Sequence, residues 1–211
     1  MREVLEVIER GGDWQAALDR VYVGMEAALT AELGPPLLAG VVDSALITMA
    51  RESLDLDTAA LGRRAAEFAE RYTYDLVSGI TDTTRDRLSS AMRSFFDDEK
   101  IDRKTLGERV ESIFGEGRGQ TIATTEATRA SAQGQRILVA ELKVESPKAR
   151  VQELWQTSED EIVCEICGGL NGVVREEDGY HHPDGTVYDA PPAHPRCRCG
   201  ARIVVLQIGG A

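Results

Sequence analysis

The chain has 211 residues, 42% hydrophobic but only 5% aromatic, with 36 acidic against 24 basic residues and a formal net charge of −12. That length accommodates one large domain or two small ones, and the apolar share is enough for a core of helices packed through Ala, Leu and Val. The negative balance argues against broad electrostatic binding to DNA or to an anionic membrane surface, which require Lys and Arg, and favours solubility and a basic partner surface.

Met1–Glu9 is amphipathic and of mixed charge, unlike a secretory signal peptide. No apolar run approaches the ~20 residues that span a bilayer. The longest, Leu37–Ala50, is interrupted by Gly40, Asp43 and Ser44. A reducing cytosol is therefore the expected setting, and there paired cysteines bind metal rather than form disulfides.

The first two thirds read as helix. Asp13 is placed to cap a helix through Trp14, Ala17, Leu18, Val21, Met25, Ala28 and Leu29, which recur at spacings of three and four. Gly34-Pro35-Pro36 is expected to end it, and a second periodic stretch runs from Leu37 to Arg51. A third spans about Thr58 to Ser78, with Leu61, Ala65, Phe68, Ala69, Tyr72 and Leu76 on one face and Gly79 as its stop. Thr81 or Asp82 then caps a helix striped by Leu88, Met92, Phe95 and Phe96. Arg103–Phe114 is a short amphipathic piece with Leu106, Val110 and Ile113 in register. Gly115, Gly117 and Gly119 punctuate a loop, near which a long helix begins and runs to about Lys143, ending at Ser146-Pro147.

Beyond Pro147 the character changes. Val151–Thr157 alternates as a strand with Val151, Glu153 and Trp155 on one side. Gly168-Gly169 and Asn171-Gly172 signal tight turns, residues 173–192 read as loops with short strands, and Ala201–Ile208 is an apolar, β-branched closing strand. The expected fold is α+β, a mainly helical amino-terminal body with a small metal-stapled, β-containing carboxy-terminal end.

All four cysteines lie in that end, as Cys164-x-x-Cys167 and as Cys197-x-Cys199 within His194-Pro-Arg-Cys-Arg-Cys. Two thiolates separated by two residues grip one ion from a single turn, and a distant second cluster closes a tetrahedral site. The second cluster offers His194, Cys197 and Cys199 where zinc needs two more ligands, so four cysteines and three cysteines with His194 are both solutions. A structural zinc ion is the expected cofactor, with no catalytic residue. The competing chemistry is a zinc-supported nuclease using His181 or His182 as general base, and a third reading is a cytoplasmic zinc-bearing adaptor.

From Thr121 to Cys199 the chain resembles the phage Mu protein F-like, or head morphogenesis, family of minor capsid proteins. Its members show a helix opening on an Ile-Ala-Arg-Thr-Glu-like motif, a Trp in a strand, a Cys-x-x-Cys knuckle, a Gly turn and a final Pro-Pro-x-His-Pro-x-Cys-Arg-Cys. Here the helix motif is Thr121-Ile122-Ala123-Thr124-Thr125-Glu126, the strand supplies Trp155 and Thr157, the knuckle is Val163–Cys167, and the end is Pro191-Pro192-Ala193-His194-Pro195-Arg196-Cys197-Arg198-Cys199. The family's Arg before Thr-Glu is Thr124 here, so no role is carried to that position.

The resemblance covers roughly the last 110 to 130 residues, so a helical region 1–80 is set apart from a head-morphogenesis domain 81–211, with helices 81–145 and a zinc end 146–211. It implies a non-enzymatic minor head component inside the virion, assembled in the host cytoplasm and concerned with head assembly or DNA delivery. Its expected partners are the portal protein, the major capsid protein or a scaffold protein, with neither a membrane nor strong direct nucleic-acid binding. Thr125 and Glu126 keep the family's helix motif; Glu126 is either a surface helix residue or a hydrogen-bonded tie between the long helix and the zinc end, and Arg196 and Arg198 either pair acidic groups of the helical body such as Glu126 or face a partner.

Overall fold

A computed structural model describes residues 13–97 and 115–208, together with residues 7, 10, 105, 108, 109, 112 and 113. Three long helices come first, α1 (Trp14–Arg51), α2 (Thr58–Asp97) and α3 (Glu116–Glu145). Then follow β1 (Arg150–Gln156), the short helix α4 (Glu165–Leu170), the two-residue strands β2 (Tyr180–His181) and β3 (Val187–Tyr188), and β4 (Gly200–Gln207). A mainly helical amino-terminal part with small carboxy-terminal strands is the expected plan.

Asp13 caps α1 as expected, its Oδ1 accepting the backbone N–H of Gln15 at 2.9 Å and of Ala16 at 3.1 Å. The expected break at Gly34-Pro35-Pro36 does not occur, because α1 is continuous to Arg51. Two prolines leave the carbonyls of Ala31 and Glu32 without a helical donor. Burial on both sides of the prolines outweighs that loss: Ala17 and Tyr22 before them, and Leu37, Val41, Ala45 and Met49 after them, are all enclosed.

Gly79 likewise ends nothing, and neither Thr81 nor Asp82 caps a new helix, because α2 runs unbroken. The buried positions Leu61, Ala65, Ala69, Thr73, Val77, Thr81, Thr84 and Leu88 recur every three or four residues, a stripe that winds round the helix without a break at Gly79. A helical glycine costs only about 1 kcal/mol against that stripe. Met92, Phe95 and Phe96 lie in the helix, but their side chains fall outside the described residues. So does most of Arg103–Phe114; Thr105, Glu108, Arg109, Ser112 and Ile113 are helical. Gly117 and Gly119 belong to the start of α3 rather than to a loop.

With α1 continuous, its apolar stretches join. Gln15–Arg51 now contains a window long and apolar enough to cross a membrane by length and composition, which corrects the expectation that none exists. A third of that window is buried, and a helix that supplies a protein core meets the same criterion.

The chain divides into two compact units, residues 1–35 with 70–116 and residues 36–69 with 117–211. The first has a core of Ala17, Tyr22, Leu88 and Ile113 with Val7, Val21 and Met25 against it. The Arg85 guanidinium lies 4.8 Å from the centre of the Tyr22 ring. Burial pushes the Tyr22 phenol up to about 12.

In the second unit α1 and α3 cross at small residues. A Cβ on Gly134 would collide with the Val41 carbonyl, and one on Gly40 would press on Ala130. Ser44 Oγ donates to the Ser131 carbonyl at 2.8 Å across the same crossing. The buried Glu141 of α3 pairs with Arg64 of α2 at 2.5 Å. β1 and β4 pair antiparallel, with Trp155 opposite Ala201 and Glu153 opposite Ile203. Residues 172–175 extend the ladder on the other edge of β1, through Trp155 N–H to the Val173 carbonyl at 2.9 Å and Arg175 N–H to the Glu153 carbonyl at 2.7 Å.

α1 closes in a Schellman motif, in which Leu54 N–H reaches the Met49 carbonyl at 2.9 Å and Ser53 N–H the Ala50 carbonyl at 3.3 Å. Ser53 takes the left-handed position at φ 52°, where glycine meets no Cβ penalty. Replacing Ser53 with Gly is expected to stabilise the protein by about 0.5–1 kcal/mol in denaturant unfolding.

Candidate metal centre

The first pair of cysteines sits at the start of α4. Cys164 is its N-cap, and its sulfur accepts the backbone N–H of Cys167 at 3.5 Å. One turn of helix thus brings both sulfurs to one side. Gly169 in the same turn faces His182, whose ring fills the space a Cβ would need. The paired turns read at 168–172 are this helix and its exit, where Gly172 takes φ 77°.

His194 closes on the knuckle. Its Nε2 lies 3.2 Å from the Cys164 sulfur and 3.2 Å from the Cys167 sulfur. Its Nδ1 is 2.8 Å from the Pro195 carbonyl. A carbonyl can only accept, so Nδ1 carries the proton and Nε2 turns a lone pair to the sulfurs. The Cys197 sulfur lies 3.8 Å from that of Cys167. Two overlapping groups result, Cys164–Cys167–His194 and Cys167–Cys197–Cys199, each with its ligand atoms within 4.8 Å of one another and with Cys167 common to both. Either could hold a metal ion, and all five residues singled out in the sequence are brought together.

The thiols are unequal. The hydrogen bond from Cys199, aided by the backbone N–H groups of Cys199 and Ala193, brings the Cys197 thiol down to about 5 against the effect of burial. The same hydrogen bond, together with burial, pushes Cys199 up. Burial pushes Cys167 up to about 12. Burial also opposes ionisation of Cys164, yet the Cys167 N–H and His194 outweigh it and lower that thiol. Hydrogen bonding to the Pro195 carbonyl raises His194.

Trp155 stands behind the cluster, 1% exposed, with its ring edge-on to Tyr180 at 5.1 Å and Tyr188 at 6.2 Å. Its indole N–H has no nitrogen or oxygen partner and faces the Cys199 sulfur. Cys167, Cys197 and Cys199 share one core with Trp155, Leu170 and Tyr180.

The ligand loop is tied to α3. Thr125 Oγ1 accepts the Arg196 N–H at 3.0 Å, and Thr128 Oγ1 donates to the Cys197 carbonyl at 2.7 Å in a buried bond. Arg196 itself has φ 63°, and its guanidinium donates to the Gly117 carbonyl at 3.3 Å. Glu126 pairs along the helix with Arg129 at 3.3 Å, and Arg198 pairs with Asp160 through two bonds of 2.6 and 2.8 Å. The arginines therefore find a backbone carbonyl and an acid next to the knuckle. A second tie joins Arg136 of α3 to Asp189 at 2.6 and 2.7 Å, with Arg175 at 3.1 Å from the same carboxylate. Arg136 holds the Asp189 carboxyl down at about 2.

Sequence reading missed Thr128, Arg136, Asp160 and Asp189. Thr128 lies three residues after Thr125, one turn along the same face, and that spacing was the available signal. His181 and His182 are placed outside the cysteine groups. His181 Nε2 lies 2.8 Å from Asp178, in an exposed group with Glu176, and His182 Nδ1 lies 2.8 Å from Asp184.

A family model described as Phage Mu protein F like protein matches residues 83–202. The chain belongs to the Phage Mu protein F-like family. Those are phage head-morphogenesis and minor capsid proteins, and the Mu F-like match takes in Thr125, Thr128, Trp155 and all five candidate ligands. No curated protein and no solved structure matches the chain.

The Thr128 bond anchors this Mu F-like end to its helix. Thr128→Val keeps the shape and leaves the buried Cys197 carbonyl without that donor. It is expected to cost about 1–3 kcal/mol in chemical denaturation.

Proposed function

We propose that the chain is a minor capsid protein of a tailed phage or prophage, a non-enzymatic part working at the inner capsid or portal during head assembly or DNA delivery. Membership of the Mu F-like family carries this reading. The net charge of −12 is in keeping with a body that avoids packaged DNA and presents acid to basic protein surfaces.

Within that role the cysteine end binds one structural zinc through Cys164, Cys167 and His194, with Cys197 or Cys199 as the fourth ligand. Ligand atoms around tetrahedral zinc lie roughly 3.5–3.8 Å apart, close to the 3.2 and 3.8 Å separations here. The lowered pKa of Cys197 and its two backbone donors suit a bound thiolate. Zinc holds the four side chains in one geometry and adds folding energy to this small, loop-rich end.

Metal analysis of purified protein is expected to give one zinc per chain, lost in Cys167→Ser, the residue common to both groups, with chelator lowering the melting temperature of the wild type. A folded, metal-free, chelator-indifferent wild type would exclude the zinc reading. Purified portal protein is expected to retain the chain in a low-salt pull-down and to release it as salt rises, since the attraction is electrostatic. No retention at low salt counts against the portal as partner.

A further inference from the structure

Among the described residues, β4 pairs with a strand on one side, that of β1. On its other side two backbone groups are met by side chains from the end of α1. Arg51 Nη2 donates to the Ile203 carbonyl at 3.1 Å, and the Val205 N–H donates to Glu52 Oε2 at 3.2 Å. Arg51 Nε and Glu52 Oε1 bond each other at 3.1 Å, so the pair acts as one rigid piece. In a parallel ladder one residue of the neighbouring strand donates to the carbonyl before the facing residue and accepts from the N–H after it. Arg51 and Glu52 supply that donor and that acceptor around Val204. Two side chains thus stand where a strand residue would.

The strand they cover is one that pairs readily. Ile203-Val204-Val205-Leu206-Gln207-Ile208 is six residues without a charge, proline or glycine and rich in β-branched side chains. Leu206 and Ile208 are each 52% exposed. An edge of this composition is a template for another strand unless something blunts it. Placed against itself the segment meets no like charges, whereas an acidic or basic strand would find no counter-charge there.

We propose that Arg51 and Glu52 plug the outer edge of β4, and that the edge, once unplugged, pairs with β4 of a second copy of this chain. The Schellman turn is what aims the plug, since it stops α1 with Arg51 on its last turn and Glu52 at its cap.

The test compares wild type, Arg51→Ala/Glu52→Ala and the same double variant carrying Leu206→Lys, by light scattering behind size exclusion at matched concentrations. The double variant is expected to show about twice the mass of the wild type, and the added lysine to restore the wild-type mass by placing a charge on the pairing edge. Should the double variant lose its helical circular dichroism, Glu52→Ala alone replaces it, because Glu52 lies past the end of α1 and its loss frees only the Val205 N–H. Unchanged mass overturns the proposal. So does association that persists with Leu206→Lys, which would place the contact elsewhere.

Discussion

Thr128 of α3 donates its hydroxyl to the carbonyl of Cys197, and the rest of the carboxy-terminal end is arranged around that bond. The loop it holds carries His194, Cys197 and Cys199, the residues that must meet a knuckle lying about thirty positions earlier. The loop buries Cys197 and Cys199 beside Trp155 but leaves Pro195, Arg196 and Arg198 exposed. What fixes it is a set of polar ties to a rigid helix: Thr125 to the Arg196 N–H, Thr128 to Cys197, and Arg136 to Asp189. The buried one matters most, because a buried carbonyl without a donor costs more than a surface ion pair contributes.

α3 can act as that platform because it is itself locked. Gly134 and Gly40 let its backbone approach α1, Ser131 and Ser44 bond across the crossing, and Glu141 is held by Arg64. Small residues at a crossing allow close packing but little adaptation. The first turns of α3 therefore present Thr125 and Thr128 at fixed positions. Trp155 performs the matching task from the other side, with β1 bonded along both edges and its indole N–H turned to the Cys199 sulfur. A family module defined by a helix motif, a strand tryptophan and two cysteine clusters thus corresponds to three physical parts: a platform, a wall, and the donor set held between them.

Much of this was legible in the chain. Asp13 reads as a cap and is one, because an N-cap is satisfied within three residues of itself. The donor set is legible for the same reason, since metal-ligand spacing is local within each cluster. The helix ends were misread where local breakers met long-range burial. Pro35-Pro36 and Gly79 carry real local costs, and a sequence shows those costs without showing the stripe of buried residues that outweighs them. The pairing of Arg198 with Asp160 rather than with the helical body depends on the knuckle's entry loop folding beside it, which no spacing reveals.

By itself the sequence determined the family, the mainly helical plan with a cysteine-bearing end, and the five residues able to hold a metal, because each depends on residue type and short spacing. Only the tertiary structure decided which of those five face one another, since the turn of His194 toward the knuckle rests on the Pro195 carbonyl and on ties to a helix some seventy residues away. It also turned an apolar final strand into an edge closed by Arg51 and Glu52, residues about 150 positions earlier. The two cysteine clusters were visible as chemistry from the start. Their placement against α3 and Trp155 is a property of packing, which no short stretch of sequence contains.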